Sequence, residues 1–265
     1  MHPVTVALFC TLLIAACASS QRPATETGAE GKEANAAMVP PEPVEIEPNI
    51  RIERAGNTII YRGSLTESGL EALQQTGSHP QVDTLVIESA GGEIVVGMDF
   101  GIWVVDGNLD VVVDHSCLSS CANYVFTAGR NKSILPGAVV AWHGSAKQPG
   151  LLDQLHAIVE EQIDAHELSP RARKRELRRA KRANVKYLTD AIYKQDQFFY
   201  RLGVDEYVTR IGNEKYGVRG FFYLSVEDMA AFGIDNVTAP EDYTQMAPRA
   251  LARRIGYPVT LVTID

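Results

Sequence analysis

The sequence feature that most constrains the fold is a short polar turn between two apolar runs, DVVVDHSCLSSCANYVFTAGR. The first run, Val111 to Val113, is β-branched and predicts a strand, and the second, Ala122 to Phe126, predicts a helix. A strand, a tight turn and a helix N-terminus can expose a serine or cysteine while backbone N–H groups point at a developing oxyanion. Serine is equally a favoured N-cap residue, so the turn is either a nucleophile site or a helix cap. Its candidate side chains are Ser116, Cys117, Ser119, Ser120 and Cys121.

The N-terminus has the pattern of an export signal. Residues 4–16 form an apolar run that would be about 20 Å long as a helix, which is too short to span a bilayer comfortably. The run ends in Ile14-Ala15-Ala16-Cys17, which resembles a bacterial lipobox, so residues 1–17 are predicted to be a lipoprotein signal peptide with lipid on Cys17. A plain cleaved secretory signal is the alternative, because no Lys or Arg precedes the apolar run.

The next segment, residues 18–49, is rich in Ala, Glu, Pro and Gly and is predicted to be a disordered tether. The folded domain is expected to occupy residues 50–265. A lipid on Cys17 would hold this domain in the bacterial cell envelope, facing the periplasm. By resemblance to lipoprotein sorting, Ala18 after the cysteine favours the outer membrane over the inner one.

Composition sets further limits on the protein. The chain has 265 residues, 45% of them hydrophobic, which provides enough apolar material for a substantial core. Its net charge of −8 argues against a general nucleic-acid binder. From residue 50 to 143, predicted strands alternate with helices across short links, which indicates an α/β architecture.

Residues 151–207 have a polar, helical pattern whose centre is strongly basic. The stretch 171–186 (RARKRELRRAKRANVK) holds nine basic residues and one acid. It is either a solvated helix face or a helix that docks on anionic lipid head groups, where each Lys or Arg contributes about 1 kcal/mol. Nucleic acid is a poor third partner for an exported protein.

The order of motifs along residues 57–143 carries a resemblance to a known family. A strand leads into Ser89-Ala90-Gly91-Gly92, then come a helix, a strand, the Cys-x-Ser-Ser-Cys turn, a second helix, and a strand that ends in Trp142-His143. This order resembles the proteolytic subunit of Clp protease and its crotonase-fold relatives, and extends weakly to residues 223–235. The resemblance implies a repeated ββα superhelix with a long helical insertion after the strand that carries His143.

Matched residue by residue, the resemblance implies a serine nucleophile at Ser120 and a general base at His143. The N–H groups of Gly92 and Cys121 would form the oxyanion hole. The family's acidic third residue falls at Phe221, where no acid is present. Without an orienting acid, a serine–histidine pair loses several orders of magnitude in rate.

Cys117 and Cys121 lie four residues apart on either side of the two serines. One helical turn brings their Cα atoms near the upper limit for a disulfide, and an exported protein meets an oxidising compartment. A disulfide is therefore predicted. Two reduced, packed thiols are an alternative, and a metal site that adds His115 is another, although that set is one ligand short of a structural zinc site.

The function implied is that of a Clp-like serine hydrolase, an ATP-independent peptidase that acts on peptides or unfolded proteins. It would need no cofactor and no metal, and the family's habit of forming rings makes a homo-oligomer an expectation. One alternative is a catalytically inactive module of the same fold that binds or scaffolds in the envelope. Acyl-CoA chemistry of the crotonase type is a third hypothesis.

Overall fold

The computed structural model describes residues 47, 49–77 and 81–265 of the chain. The predicted signal peptide, the lipid site at Cys17 and nearly all of the tether at 18–49 lie outside the described residues. Within the described part, no helix combines the length and apolar character needed to cross a membrane.

A mostly parallel sheet forms the centre of the molecule, which confirms the predicted α/β class. Its strands are β1 (Arg51–Ala55), β2 (Thr58–Arg62), β3 (Thr84–Ser89), β4 (Asp110–Leu118), β5 (Lys132–Ile134), β6 (Val139–Ala141) and β8 (Val237–Thr238). The order is β1-β2-β3-β4-β5-β8, and β6 pairs with the far end of β4. Among the described strands of this sheet, only β1 runs antiparallel to its neighbour. β7 (Phe221–Leu224) and β9 (Val259–Val262) form a separate parallel pair.

Helices connect these strands and cover the sheet. They are α1 (Glu67–Thr76), α2 (Ile94–Asp106), α3 (Leu151–Asp164), α4 (Pro170–Leu202), α5 (Ile211–Glu214), α6 (Val226–Ala231) and α7 (Pro248–Ile255). A π-helix, Cys121–Phe126, follows β4 directly. Its residues are all buried, so the apolar run after the polar turn enters the core as a helix, as predicted.

Strand β4 is longer than the sequence predicts. The β-branched run ends at Val113, yet the strand continues through the polar residues Asp114, His115 and Ser116 to Leu118. The first half of β4 pairs with β5, and its second half, from Ser116, pairs with β6. Because this second pairing is long-range, the polar stretch is held extended although its composition is typical of a turn. The reversal of the chain therefore takes place only after Leu118.

Two glycines let α2 approach the π-helix closely. A Cβ atom at Gly97 would lie 2.8 Å from Cβ of Ser120, and one at Gly101 would lie 2.6 Å from the carbonyl oxygen of Tyr124 and 2.8 Å from the ring of Phe198. Since Phe198 belongs to α4, three helices meet at Gly101. Helix α2 therefore packs directly against the turn after β4.

The predicted helical segment forms a hairpin of α3 and α4. Ser169 caps the N-terminus of α4 by accepting a hydrogen bond from the Ala172 N–H, and Gly203, in a left-handed conformation, caps its C-terminus. The Asn184 side chain donates to the carbonyl oxygen of Leu155 at 3.0 Å and ties the two helices together. The C-terminal half of α4 packs on α2, whereas its basic N-terminal part pairs with α3.

We expect Gly101→Ala to destabilise the protein. The added methyl meets a backbone carbonyl that cannot move aside, and overpacking of this kind costs about 1–3 kcal/mol. The gain in helix propensity, at most about 1 kcal/mol, offsets only part of that cost. Thermal unfolding should therefore show a lower melting temperature. Gln197→Ala, at an exposed position on α4, is the control and should change stability by less than about 0.5 kcal/mol; equal stability of both variants would contradict the close approach.

Candidate active site

Ser119 reverses the chain between β4 and the π-helix. Its φ of +56° lies in the left-handed region, which is uncommon for a residue other than glycine. The Ser119 N–H donates to the carbonyl oxygen of Ala141 at 3.0 Å, and its own carbonyl accepts from the Asn123 N–H at 2.8 Å. Both backbone groups are thus fixed, so the surrounding structure holds the strained conformation in place.

The hydroxyl of Ser119 contacts the imidazole of His143. The distance from Ser119 Oγ to His143 Nε2 is 2.7 Å, a hydrogen bond. Ser119 is half-buried and His143 is exposed on one face, so the pair is reachable from solvent. A serine on a strained strand-to-helix turn, hydrogen-bonded to a histidine, is an arrangement in which a base can activate a nucleophile.

The predicted partner of His143 was Ser120, and the structure does not bring these two residues together. Ser120 is buried, and its Oγ donates to the carbonyl oxygen of Gly92 at 2.9 Å. The physical reason is the extra length of β4: the sharp turn falls at Ser119, and Ser120 then points into the core against Gly97. The residue next to histidine is therefore one position earlier than the family spacing implies.

His143 is held from both sides. Trp142 before it exchanges two backbone hydrogen bonds of 2.8 Å with Phe222 of β7. After it, the carbonyl oxygen of Gly144 accepts from the side chain of buried Asn123 at 2.9 Å. Because Asn123 also binds the Ser119 carbonyl, one residue of the π-helix positions both members of the pair.

The imidazole of His143 packs against an aromatic ring. The rings of His143 and Phe221 lie 4.7 Å apart between centroids, and Phe221 in turn contacts Tyr257 at 5.4 Å. This surrounding desolvates the imidazole and lowers the pKa of His143 below its ordinary value of 6.5. Among the described residues, none hydrogen-bonds to Nδ1 of His143. The ring contacts Phe221, the residue that the sequence comparison matched to the family's acid.

Three acids near that position in sequence do not hydrogen-bond to His143. Glu214 pairs with Arg210, and the Asp205 side chain accepts from the Tyr207 N–H. At Asp235 the backbone carbonyl accepts from the Lys132 side chain.

The double-glycine turn lies directly against the serine turn. Gly91 has a φ of +95°, and a Cβ atom there would lie 2.7 Å from the carbonyl oxygen of Leu118 and 2.8 Å from Cβ of Ser119. At Gly92 a Cβ would overlap the carbonyl group of Leu65. Only glycine permits both approaches, which explains the pair of glycines after Ala90.

A disulfide joins Cys117 to Cys121, with a Cα–Cα distance of 5.2 Å. It links Cys117, the second-last residue of β4, to the first residue of the π-helix, so both serines lie between the bonded cysteines. The thiols are therefore oxidised in this structure. His115 lies instead beside Glu88 and Ser116, and the described residues contain no cluster of His, Cys, Asp and Glu that could hold a metal.

A buried polar network behind the site was not foreseen from the sequence. The Oε1 atom of fully buried Gln195 on α4 accepts from the Tyr124 hydroxyl at 2.8 Å and from the Ala146 N–H at 3.2 Å. Its Nε2 donates to Ser145 Oγ at 3.2 Å. Gln195 thus connects the π-helix to the loop after His143. A glutamine on a polar helix gives no local signal of such a role.

Comparisons with known proteins add little to this geometry. No protein-family model matches the chain, and no curated protein matches it. Among solved structures, the chain is similar to a mutant of ClpP1 from Listeria monocytogenes, with 19% identity, coverage of 70% of this chain and 93% of that chain, and a TM-score of 0.33.

We expect the pKa of His143, followed by NMR, to lie below 6.5 and to rise in Phe221→Ala, which admits water to the ring. Since the folded protein then binds this proton less readily than the unfolded chain, the stability linked to His143 is present above pH 6.5 and is lost as the pH falls below it. Tyr200→Ala, which removes an exposed ring on α4, is the control. An unchanged His143 pKa in Phe221→Ala would contradict desolvation by Phe221.

Proposed function

We propose that the chain is a serine hydrolase in which Ser119 is the nucleophile and His143 the general base. The observation that carries the proposal is the 2.7 Å hydrogen bond between Ser119 Oγ and His143 Nε2. The positive φ of Ser119 supports it, because a strained strand-to-helix turn is where such enzymes hold the nucleophile. Ser120, the nucleophile expected from the family spacing, serves in this proposal as a clamp between the serine turn and Gly92.

In the proposed reaction, Nε2 of His143 takes the hydroxyl proton while Ser119 Oγ bonds to the carbonyl carbon of the substrate. The carbonyl oxygen becomes an oxyanion, which collapses as the imidazolium protonates the leaving amine, and water then releases the acyl group by the same steps. With attack from Ser119, the N–H that follows the nucleophile is that of Ser120 rather than Cys121. The Gly92 N–H remains the second proposed oxyanion donor.

The lowered pKa of His143 supports its role as a base. A histidine whose pKa lies below 6.5 is neutral at pH 7 and can accept the serine proton. The absence of a partner for Nδ1 among the described residues lowers the expected rate, because the imidazolium formed in the reaction lacks the acid that stabilises it in a full triad.

For substrate and setting, we propose peptides or unfolded protein segments, cleaved without ATP in the bacterial envelope. The resemblance to the Clp proteolytic subunit, with its repeated ββα superhelix, supports the substrate class, and the Cys117–Cys121 disulfide supports an oxidising compartment. A lipid on Cys17 would keep the enzyme at the outer membrane, and self-assembly remains part of the proposal.

A catalytically inactive binding module is the second candidate function, and one observation favours it. Phe221, the residue matched to the family's acid, contacts the His143 ring, and no described residue hydrogen-bonds to Nδ1 of that histidine. A site with this geometry could bind a peptide at its carbonyl group without hydrolysing the peptide bond.

A fluorophosphonate probe distinguishes the two candidates and the two serines. We expect the oxidised, folded chain to be labelled, Ser119→Ala to lose the label, and Ser120→Ala to keep at least part of it, since Ser120 is buried and bonded to Gly92. His143→Ala should slow labelling by about 10²–10⁴-fold. Absence of label on the folded protein would favour the binding module, and loss of label only in Ser120→Ala would contradict the assignment of Ser119.

Phe221→Asp tests the missing acid directly. A carboxylate beside the imidazole should raise the pKa of His143 and stabilise its charged form. Because loss of the acid costs about 10⁴-fold in a full triad, we expect kcat/KM for a peptide ester to rise roughly tenfold or more. Phe221→Asn is the control, because the asparagine side chain has nearly the same shape as aspartate but carries no charge. An equal gain in both variants would attribute the effect to space rather than charge.

A further inference from the structure

A shallow cationic groove lies on the α3–α4 hairpin, mainly along α4. Its volume is about 500 Å³, and it is lined by His156 from α3 and by Lys174, Arg178, Lys181 and Arg182 from α4. Two apolar side chains, half-buried Leu177 and exposed Val185, complete the lining. The groove therefore combines positive charge with apolar surface.

Several acids of the hairpin pair with its cations, including Lys181 of the groove. Glu160 and Asp164 both pair with Arg173, Glu160 also with Lys181 at 3.2 Å, and Asp190 pairs with Lys186. Among the described residues, a set of exposed cations of this segment has no salt-bridge partner: Arg171, Lys174, Arg178, Arg179 and Arg182. An ordinary solvated helix face alternates its charges, whereas this face keeps an unpaired excess.

The excess contrasts with the rest of the protein. Residues 171–186 carry nine basic residues and one acid in a chain of net charge −8. An anionic surface would therefore repel most of the molecule and attract this segment, which fixes both the contact and its orientation. From Arg178 to Gln195, behind the serine–histidine site, the distance along α4 is about 25 Å.

We propose that the cationic groove is a docking surface for a membrane rich in anionic phospholipid. Phosphate groups would lie against Lys174, Arg178 and Arg182, while Val185 and Leu177 would contact the apolar boundary below the head groups. Docking through the hairpin leaves the serine–histidine site about 25 Å along the helix, open to a substrate. The proposal depends neither on Ser119 and His143 nor on a lipid at Cys17.

The test uses the full chain carrying Cys17→Ser, so that no lipid can attach there. Binding to phosphatidylcholine vesicles is measured by flotation with and without phosphatidylglycerol, at ~0.1 M and ~1 M salt. We expect anionic vesicles to bind more tightly and the preference to disappear at high salt, where the Debye length falls to about 3 Å. Equal binding to neutral and anionic vesicles would overturn the proposal.

Matched double variants locate the contact. Arg178→Gln/Arg182→Gln should weaken binding to anionic vesicles roughly 30-fold, about fivefold for each cation. Arg249→Gln/Arg253→Gln removes two exposed cations at the same i,i+4 spacing on α7 and should leave binding within about twofold. Equal losses of vesicle binding in the two double variants would mean that net charge, rather than the groove, attracts the vesicles. That result would overturn the proposal. Arg178→Lys/Arg182→Lys keeps the charge and should keep the binding, as should Ser119→Ala.

Discussion

The site depends on a single backbone reversal at Ser119. The strand before it is fixed by pairing with β6 as far as Leu118, and the helix after it begins at Cys121, so almost no chain is left for the turn. A left-handed residue other than glycine costs about 1–2 kcal/mol. Two backbone hydrogen bonds of Ser119, each contributing about 1 kcal/mol, and a disulfide across the turn offset that cost.

The elements that hold this reversal come from distant parts of the chain. Gly97 and Gly101 bring α2 against the π-helix, and Gln195 of α4 bonds to both the π-helix and the loop after His143. In addition, β7 fixes the backbone of Trp142, next to His143, by two backbone hydrogen bonds. Ser119 and His143 are therefore positioned by packing and by buried hydrogen bonds rather than by local sequence preference.

This dependence explains what the sequence could and could not predict. The α/β class and most strands followed from apolar runs, and the cysteine spacing predicted the disulfide that spans the turn. Whether Ser119 or Ser120 contacts His143 depends on a difference of one residue in the length of β4. It was decided by the pairing of Ser116–Leu118 with β6, which holds a polar stretch extended against its own propensity. No local pattern contains that information.

Phe221 has two opposing effects on the chemistry of the site. By desolvating His143 it lowers the pKa of the imidazole and favours the neutral form, which is the form that can accept a proton. In the proposed reaction, the same desolvation would penalise the imidazolium that forms as Ser119 attacks, and no described residue at Nδ1 would compensate for it. The same arrangement of Ser119, His143 and Phe221 is compatible with a hydrolase and with a binding module. The free energy of protonating His143 in the complex with a bound substrate decides between the two.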